Sequence, residues 1–128
     1  HVWGYGVGLD MTRRDLQFAL RDKGRPWELG KAFDRSAPIS PLVAVAAAGP
    51  MDRAPIWLKV NGQLRQSAQV ADMIWSVPEI IANLSTYFRL EPGDLIFTGT
   101  PEGVGPVVAG DVIEAGVDGV GSLSVRIV

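Results

Sequence analysis

With 128 residues, 47% of them hydrophobic, the sequence is one domain's worth of chain with enough apolar side chains for a core of its own. Its net charge of −2, with Lys and Arg dispersed, supplies no basic stripe for nucleic acid and no polybasic cluster for a membrane, so a small-molecule partner is expected. The absence of cysteine and a single histidine, His1, exclude disulfides, thiolate catalysis, cysteine-type zinc sites, a Ser-His-Asp triad and a multi-histidine metal site.

In chain order, the first informative stretch is Gly4 to Gln17, GYGVGLDMTRRDLQ. Up to Asp10 the pattern alternates, with Trp3, Tyr5, Val7 and Leu9 on one face and Gly4, Gly6 and Gly8 on the other, which predicts a strand with one bare side. Asp10 shares the glycine face, where no Cβ obstructs an approaching ligand. From Thr12 the period becomes helical. Thr12 and Asp15 make a capping-box-like start, and Leu16, Ala19 and Leu20 supply an apolar stripe. Asp10, Arg14 and Gln17 then stand at i, i+4 and i+7. Two readings fit that spacing equally: a surface Asp with an i+4 salt bridge, or a carboxylate, a guanidinium and an amide arranged to bind a metal-chelated organic acid.

Asp22-Lys23-Gly24-Arg25-Pro26 is a helix stop. The following segment, Trp27 to Pro41, has neither period and carries Lys31, Asp34 and Arg35 among small and aromatic residues, where binding groups are often displayed. Lys31 is its candidate binding residue, and a solvated surface lysine is the competing reading. Ala44 to Ala48 with Gly49-Pro50 predicts a short strand ending in a turn. Ile56 to Gln66 predicts a hairpin, with Asn61-Gly62 supplying the positive φ of a type I′ turn, and Gln66 to Met73 predicts a loop.

Ser76-Val77-Pro78-Glu79 is a helix N-terminus, and Ile80, Ile81, Leu84, Tyr87 and Phe88 form one apolar stripe, so this helix is expected to pack on a sheet. Pro92-Gly93-Asp94 reads as a turn and Leu95-Ile96-Phe97 as a short buried strand. Thr98 to Gly105, TGTPEGVG, leaves that strand dense in glycine with two hydroxyls. It suits either an anion such as a carboxylate or phosphate, or an ordinary tight turn. Ala109-Gly110-Asp111 and Asp118-Gly119 are turns that launch strands, predicting a β-meander for the C-terminal third.

Neither GxSxG nor a Rossmann fingerprint occurs, which argues against an α/β-hydrolase and a dinucleotide enzyme. The remaining chemistry is acidic residues, one lysine and the Gly/Thr loop. Oxygen ligands of this kind favour Mg²⁺, Mn²⁺ or Ca²⁺ over zinc, and a single Asp is too few for a tight site, so either a further segment completes it or there is no metal.

GLDMTRRDLQ, KGRPWELGKAFD, VNGQLRQ followed by DMIWSVPEII, and LEPGDLIFTGTPEGVG together resemble the fumarylacetoacetate hydrolase superfamily, in order and over nearly the whole chain. The nearest likeness is its small single-domain branch of acylpyruvate hydrolases, oxaloacetate decarboxylases and isomerases. The resemblance implies a β-rich α+β fold, a mixed β-sandwich roll, spanning residues 1–128, and a homodimer. It also implies a Mg²⁺ or Mn²⁺ ion held by three carboxylates, of which Asp10 matches the third. The other two belong to a Glu-x-Glu motif that is not in this sequence, nor is the family's His-Glu pair that activates water on an N-terminal lid. By the same matching, Arg14, Gln17, Lys31 and Thr100 fall on substrate-contact positions, with Lys31 also catalytic and Thr100 binding the substrate carboxylate.

The implied substrate is a 2-oxo acid chelated to the metal, which as a Lewis acid stabilises the enolate left when the adjacent C–C bond breaks by hydrolysis or decarboxylation. Isomerisation of 2-hydroxyhepta-2,4-diene-1,7-dioate in aromatic catabolism is an alternative that the same residues serve, and a noncatalytic β-rich dimerisation or binding module is another. The chain begins at His1 and enters a strand at once, so an upstream part is expected, and the 128 residues alone are expected to be inactive. No apolar run reaches membrane-spanning length and no signal-peptide pattern opens the chain, which leaves the cytoplasm as the default compartment.

Overall fold

A computed structural model describes all 128 residues. Its centre is a four-stranded antiparallel sheet in the order β4-β3-β5-β6, formed by β3 (Pro55–Val60), β4 (Gln63–Gln69), β5 (Val112–Val117) and β6 (Gly121–Arg126). The Asn61-Gly62 hairpin forms as its turn chemistry dictates, with φ of 50° and 78° at the two central residues. Asn61 also reaches across the chain. Its Nδ2 donates to Asp111 Oδ1 at 2.8 Å, and the Val112 N–H donates to its Oδ1 at 2.9 Å, tying the hairpin turn to the start of β5.

Register decides which side chains meet. Leu58 faces Ala115 and Val60 faces Ile113 across β3 and β5, while Ile113 faces Val125 and Ala115 faces Leu123 across β5 and β6. With period two these residues share one face, and Val7, Leu9 and Val120 close over it to complete the core. On the other face Trp57 lies directly across from Gly116, whose missing Cβ makes room for the indole: a Cβ there would stand 2.6 Å from Trp57 Cε2.

The glycine-rich stretch runs extended, but only β1 (Gly4–Tyr5) pairs regularly, with β2 (Val43–Ala44). Alternation holds from Tyr5 on: Val7 and Leu9 are buried, whereas Trp3 at the end of the same face is exposed. Helix α1 (Arg14–Arg21) starts one residue later than a Thr12 cap would place it and has no side-chain cap. It leans on the single turn α2 (Glu28–Lys31). The chain stop after α1 is as expected, with Gly24 at φ 61°.

Further expectations are corrected. After β2 the alanine run turns into the helical turn α3 (Val45–Ala48), because alanine favours helix once the two-residue pairing ends. The predicted loop at Gln66 is strand to Gln69, followed by a 3-10 turn over Val70–Asp72. Leu95-Ile96-Phe97 forms no strand, and Leu95 is 54% exposed. The C-terminal third is therefore a β5–β6 hairpin. Helix α4 (Val77–Leu84) has its Ser76/Glu79 capping box intact but buries none of its residues, and Tyr87 and Phe88 lie beyond its end and exposed. No helix is long and apolar enough to cross a membrane.

Candidate active site

Two separate arms carry the candidate residues. The first is the stretch around Asp10, held by an irregular antiparallel ladder to residues 36–40. The Leu9 N–H donates to Pro38 O at 3.0 Å and the Met11 N–H to Ser36 O at 2.8 Å. Buried Ser40 completes it by accepting the Val7 N–H on its hydroxyl and donating its own N–H to Val7 O. Burial of Val7 and Leu9 forces Asp10 outward by alternation, and its carboxylate meets Lys31 Nζ at 2.5 Å.

Lys31 comes from α2, which reaches the start of α1 because Gly30 has no side chain. A Cβ there would press within 3.2 Å of Arg13 O and Gln17 Cβ, and the Arg13 N–H donates to Gly30 O at 2.9 Å. Thr12, expected as a helix cap, instead accepts from Lys31 Nζ at 2.9 Å. The ammonium is thus held between a carboxylate and a hydroxyl, with its own side chain 35% exposed. Such a half-exposed pair adds at most about 1 kcal/mol to stability. Arg14 does not pair with Asp10 as the i+4 reading proposed. Its Nη1 donates to Gln17 Oε1 at 2.7 Å.

The bare glycine face is not open to a ligand along its length. A Cβ on Gly6 would lie 2.8 Å from Leu42 Cδ2, and one on Gly8 would lie 2.7 Å from Phe97 Cε1. The Gly8 contact has a consequence for the site. Phe97 immediately precedes the Thr98–Gly105 loop, so the glycine seats the ring that brings this loop beside the Asp10 strand.

The second arm is that loop and the strand beneath it. Between β3 and β4, Leu58 pairs with Gln66 and Lys59 with Leu64, which leaves Arg65 as an unpaired bulge residue. Gln66, just past the bulge, is only 7% exposed. Its Nε2 donates to Thr100 Oγ1 at 2.8 Å and to Pro101 O at 2.7 Å. Gly103, at φ 96°, lies directly on the Arg65 carbonyl, a place closed to any Cβ. Bulges beside binding loops re-aim a side chain in this way. Sequence reasoning missed Gln66, which it read as the end of a hairpin. The available signal was a glutamine at an inward position of an alternating strand.

Asp10, Arg14, Lys31, Gln66 and Thr100 all line one broad, open concavity, whereas Gln17 does not and serves to hold Arg14. No three His, Cys, Asp or Glu side chains converge on a point that could hold an ion. Asp10 offers a hard oxygen donor of the right chemistry for a divalent cation, but one carboxylate falls short of a site.

The fold and its antiparallel sheets match those of a known class. The chain belongs to the family described as fumarylacetoacetate (FAA) hydrolase C-terminal, whose match covers residues 1–128. Among curated relatives, a fumarylpyruvate hydrolase of a Ralstonia species is 52% identical over 126 residues, covering 98% of this chain and 65% of that protein. The mitochondrial oxaloacetate tautomerase FAHD1 of Homo sapiens is 46% identical over 127 residues, covering 99% of this chain and 58% of that one. Among solved structures, a fumarylpyruvate hydrolase from Pseudomonas aeruginosa in complex with Mn²⁺ and pyruvate is 58% identical with a TM-score of 0.96, covering all of this chain and 55% of that one. The chain thus spans 55 to 65% of the length of these relatives.

Proposed function

We propose that these residues are the substrate-holding part of a divalent-metal-dependent active site that acts on a 2-oxo acid. The observation that carries this reading is that the Asp10–Lys31–Thr12 cluster and the glutamine-anchored Thr100 line the same concavity. It is supported by relatives named as hydrolases of fumarylpyruvate and a tautomerase of oxaloacetate, and by one bound to Mn²⁺ and pyruvate.

Asp10 would provide one oxygen ligand to Mg²⁺ or Mn²⁺, the remaining donors coming from outside these 128 residues, from substrate and from water. The ion, when bound, supplies Lewis acidity toward the 2-oxo acid. Lys31 places a positive charge beside Asp10, where negative charge develops on the keto oxygen as the substrate becomes an enolate. Thr100 and Arg14 receive carboxylate groups, and Gln17 keeps Arg14 extended along α1. Cleavage of an acylpyruvate C–C bond, decarboxylation of oxaloacetate and its tautomerisation all pass through an enolate, so this half of the site serves each. The working protein is proposed to be a homodimer.

The test uses the full-length protein with fumarylpyruvate and oxaloacetate, against metal-only controls. Lys31→Ala should lower kcat about a hundredfold or more while metal affinity, read by calorimetry, changes little. Asp10→Asn should weaken Mn²⁺ binding. Unchanged kcat in Lys31→Ala on both substrates would remove the lysine from the reaction.

A further inference from the structure

The two contacts of Gln66 have a polarity that determines what Thr100 can do. Pro101 O is a carbonyl oxygen and can only accept, so the Gln66 atom facing it at 2.7 Å must be the amide nitrogen. The same nitrogen lies 2.8 Å from Thr100 Oγ1, and its second hydrogen therefore goes to that oxygen. Both amide hydrogens are spent. The Thr100 hydroxyl is thereby an acceptor toward Gln66, and its single proton has to be donated elsewhere.

Burial makes this assignment firm. Gln66 is almost wholly inside, and an amide there that lost either partner would leave a polar group without water to replace it. The bulge at Arg65 and the seat of Gly103 on the Arg65 carbonyl hold loop and strand in one register, so Thr100 cannot turn without breaking the pair.

We infer that Gln66 is a positioning residue that locks the Thr100 hydroxyl as a hydrogen-bond donor, making the Thr98–Gly105 loop selective for an acceptor-only group such as a carboxylate. The inference rests on the proposed 2-oxo acid site and specifies how its carboxylate end is chosen. Gln66 acts through Thr100 and needs no contact with substrate.

A double-mutant cycle in the full-length protein, with Mn²⁺ present and pyruvate as the probe, tests it. Thr100→Val should weaken pyruvate binding about tenfold, the scale of one charge-assisted hydrogen bond. Gln66→Leu should weaken it several-fold in the parent and less than about twofold in the Thr100→Val background, since the two act as one unit. Thr100→Ser, which keeps the hydroxyl, should retain the coupling. Mn²⁺ affinity should stay constant throughout, and KM should rise more than kcat falls, which a general loosening of the fold would not produce. If Thr100→Val leaves pyruvate affinity unchanged, the carboxylate site itself is wrong. If Thr100→Val weakens binding while Gln66→Leu does not, or the two losses simply add, the site stands and the role of Gln66 is overturned. Should Gln66→Leu fail to fold, a crystal structure of the parent with pyruvate decides. Thr100 Oγ1 bridging Gln66 Nε2 and a pyruvate carboxylate oxygen supports the inference, and pyruvate bonded directly to Gln66 Nε2 overturns it.

Discussion

The four-stranded sheet and the segment from Ile74 to Phe97 are comparably apolar, yet one forms the core and the other buries almost nothing. In the sheet, alternation, the Asn61-Gly62 turn and cross-strand register all point to the same pairing, and Ile113 ends 3% exposed. In the second segment the capping box forms and the helix forms, yet Ile74 is 96% and Tyr87 74% exposed. The difference teaches that a strong local signal specifies an element but not its partner. A strand states its neighbours through period and turn, whereas an amphipathic helix states only that it has a side to cover.

The largest expected effect that would test this contrast is in the sheet. Ile113→Ala should cost the 128-residue chain about 2–5 kcal/mol, because its neighbours Val60 and Val125 are fixed by register and cannot collapse into the space. Denaturant unfolding measures it, and a loss under about 1 kcal/mol would mean the core is far more loosely packed than the ladder indicates. Ser76→Ala should cost about 1 kcal/mol through the lost cap alone, and helical circular dichroism should fall with it.

Acid probes both regions at once. The Ser76 hydroxyl and then its backbone N–H hold Glu79 below its ordinary 4.5, and the Val108 N–H and then the Asn61 amide hold Asp111 below its ordinary 3.8. Each depressed carboxylate contributes stability that is complete above those ordinary values and is lost as pH falls through the lower folded ones. The thermal midpoint should therefore drop on acidification from pH 4.5 downward, and the drop should shrink in Glu79→Gln and in Asp111→Asn. An identical acid profile in both variants would break the assignment. Smallest of all, Ile74→Ser should stay within about 0.5 kcal/mol in the 128-residue chain. A larger cost would show that this residue is covered after all and erase the contrast.

Much of the candidate site was readable as residues and little of it as contacts. Asp10, Lys31 and Thr100 stood out because a carboxylate at a strand end, a lysine in irregular chain and a Gly/Thr loop are visible in one dimension. That Lys31, and not Arg14, meets Asp10 was not visible, because it depends on Gly30 letting two short helices touch. Thr12 illustrates the same limit. Its spacing to Asp15 matched a cap, but the helix begins later and the hydroxyl is taken by the lysine. Gln66 was passed over because its one local signal, a glutamine at an inward strand position, does not name its partner: its importance arises from a bulge and a loop 34 residues away.

By itself the sequence determined what short-range chemistry can dictate: the Asn61-Gly62 hairpin, the Ser76 cap, the stop at Gly24, and the inward face of the glycine-rich stretch. Each depends on the φ preferences or side-chain reach of residues within a few positions. Only the tertiary structure decided what the glycines were for. Alternation presented Gly6 and Gly8 as empty space beside a carboxylate, but empty space in a folded chain is filled by whichever side chain can reach it. At Gly8 that side chain is Phe97, and the loop carrying Thr100 follows directly behind it. The two arms line one concavity, and the Gly8–Phe97 contact that links them joins distant parts of the chain, which no window of sequence contains.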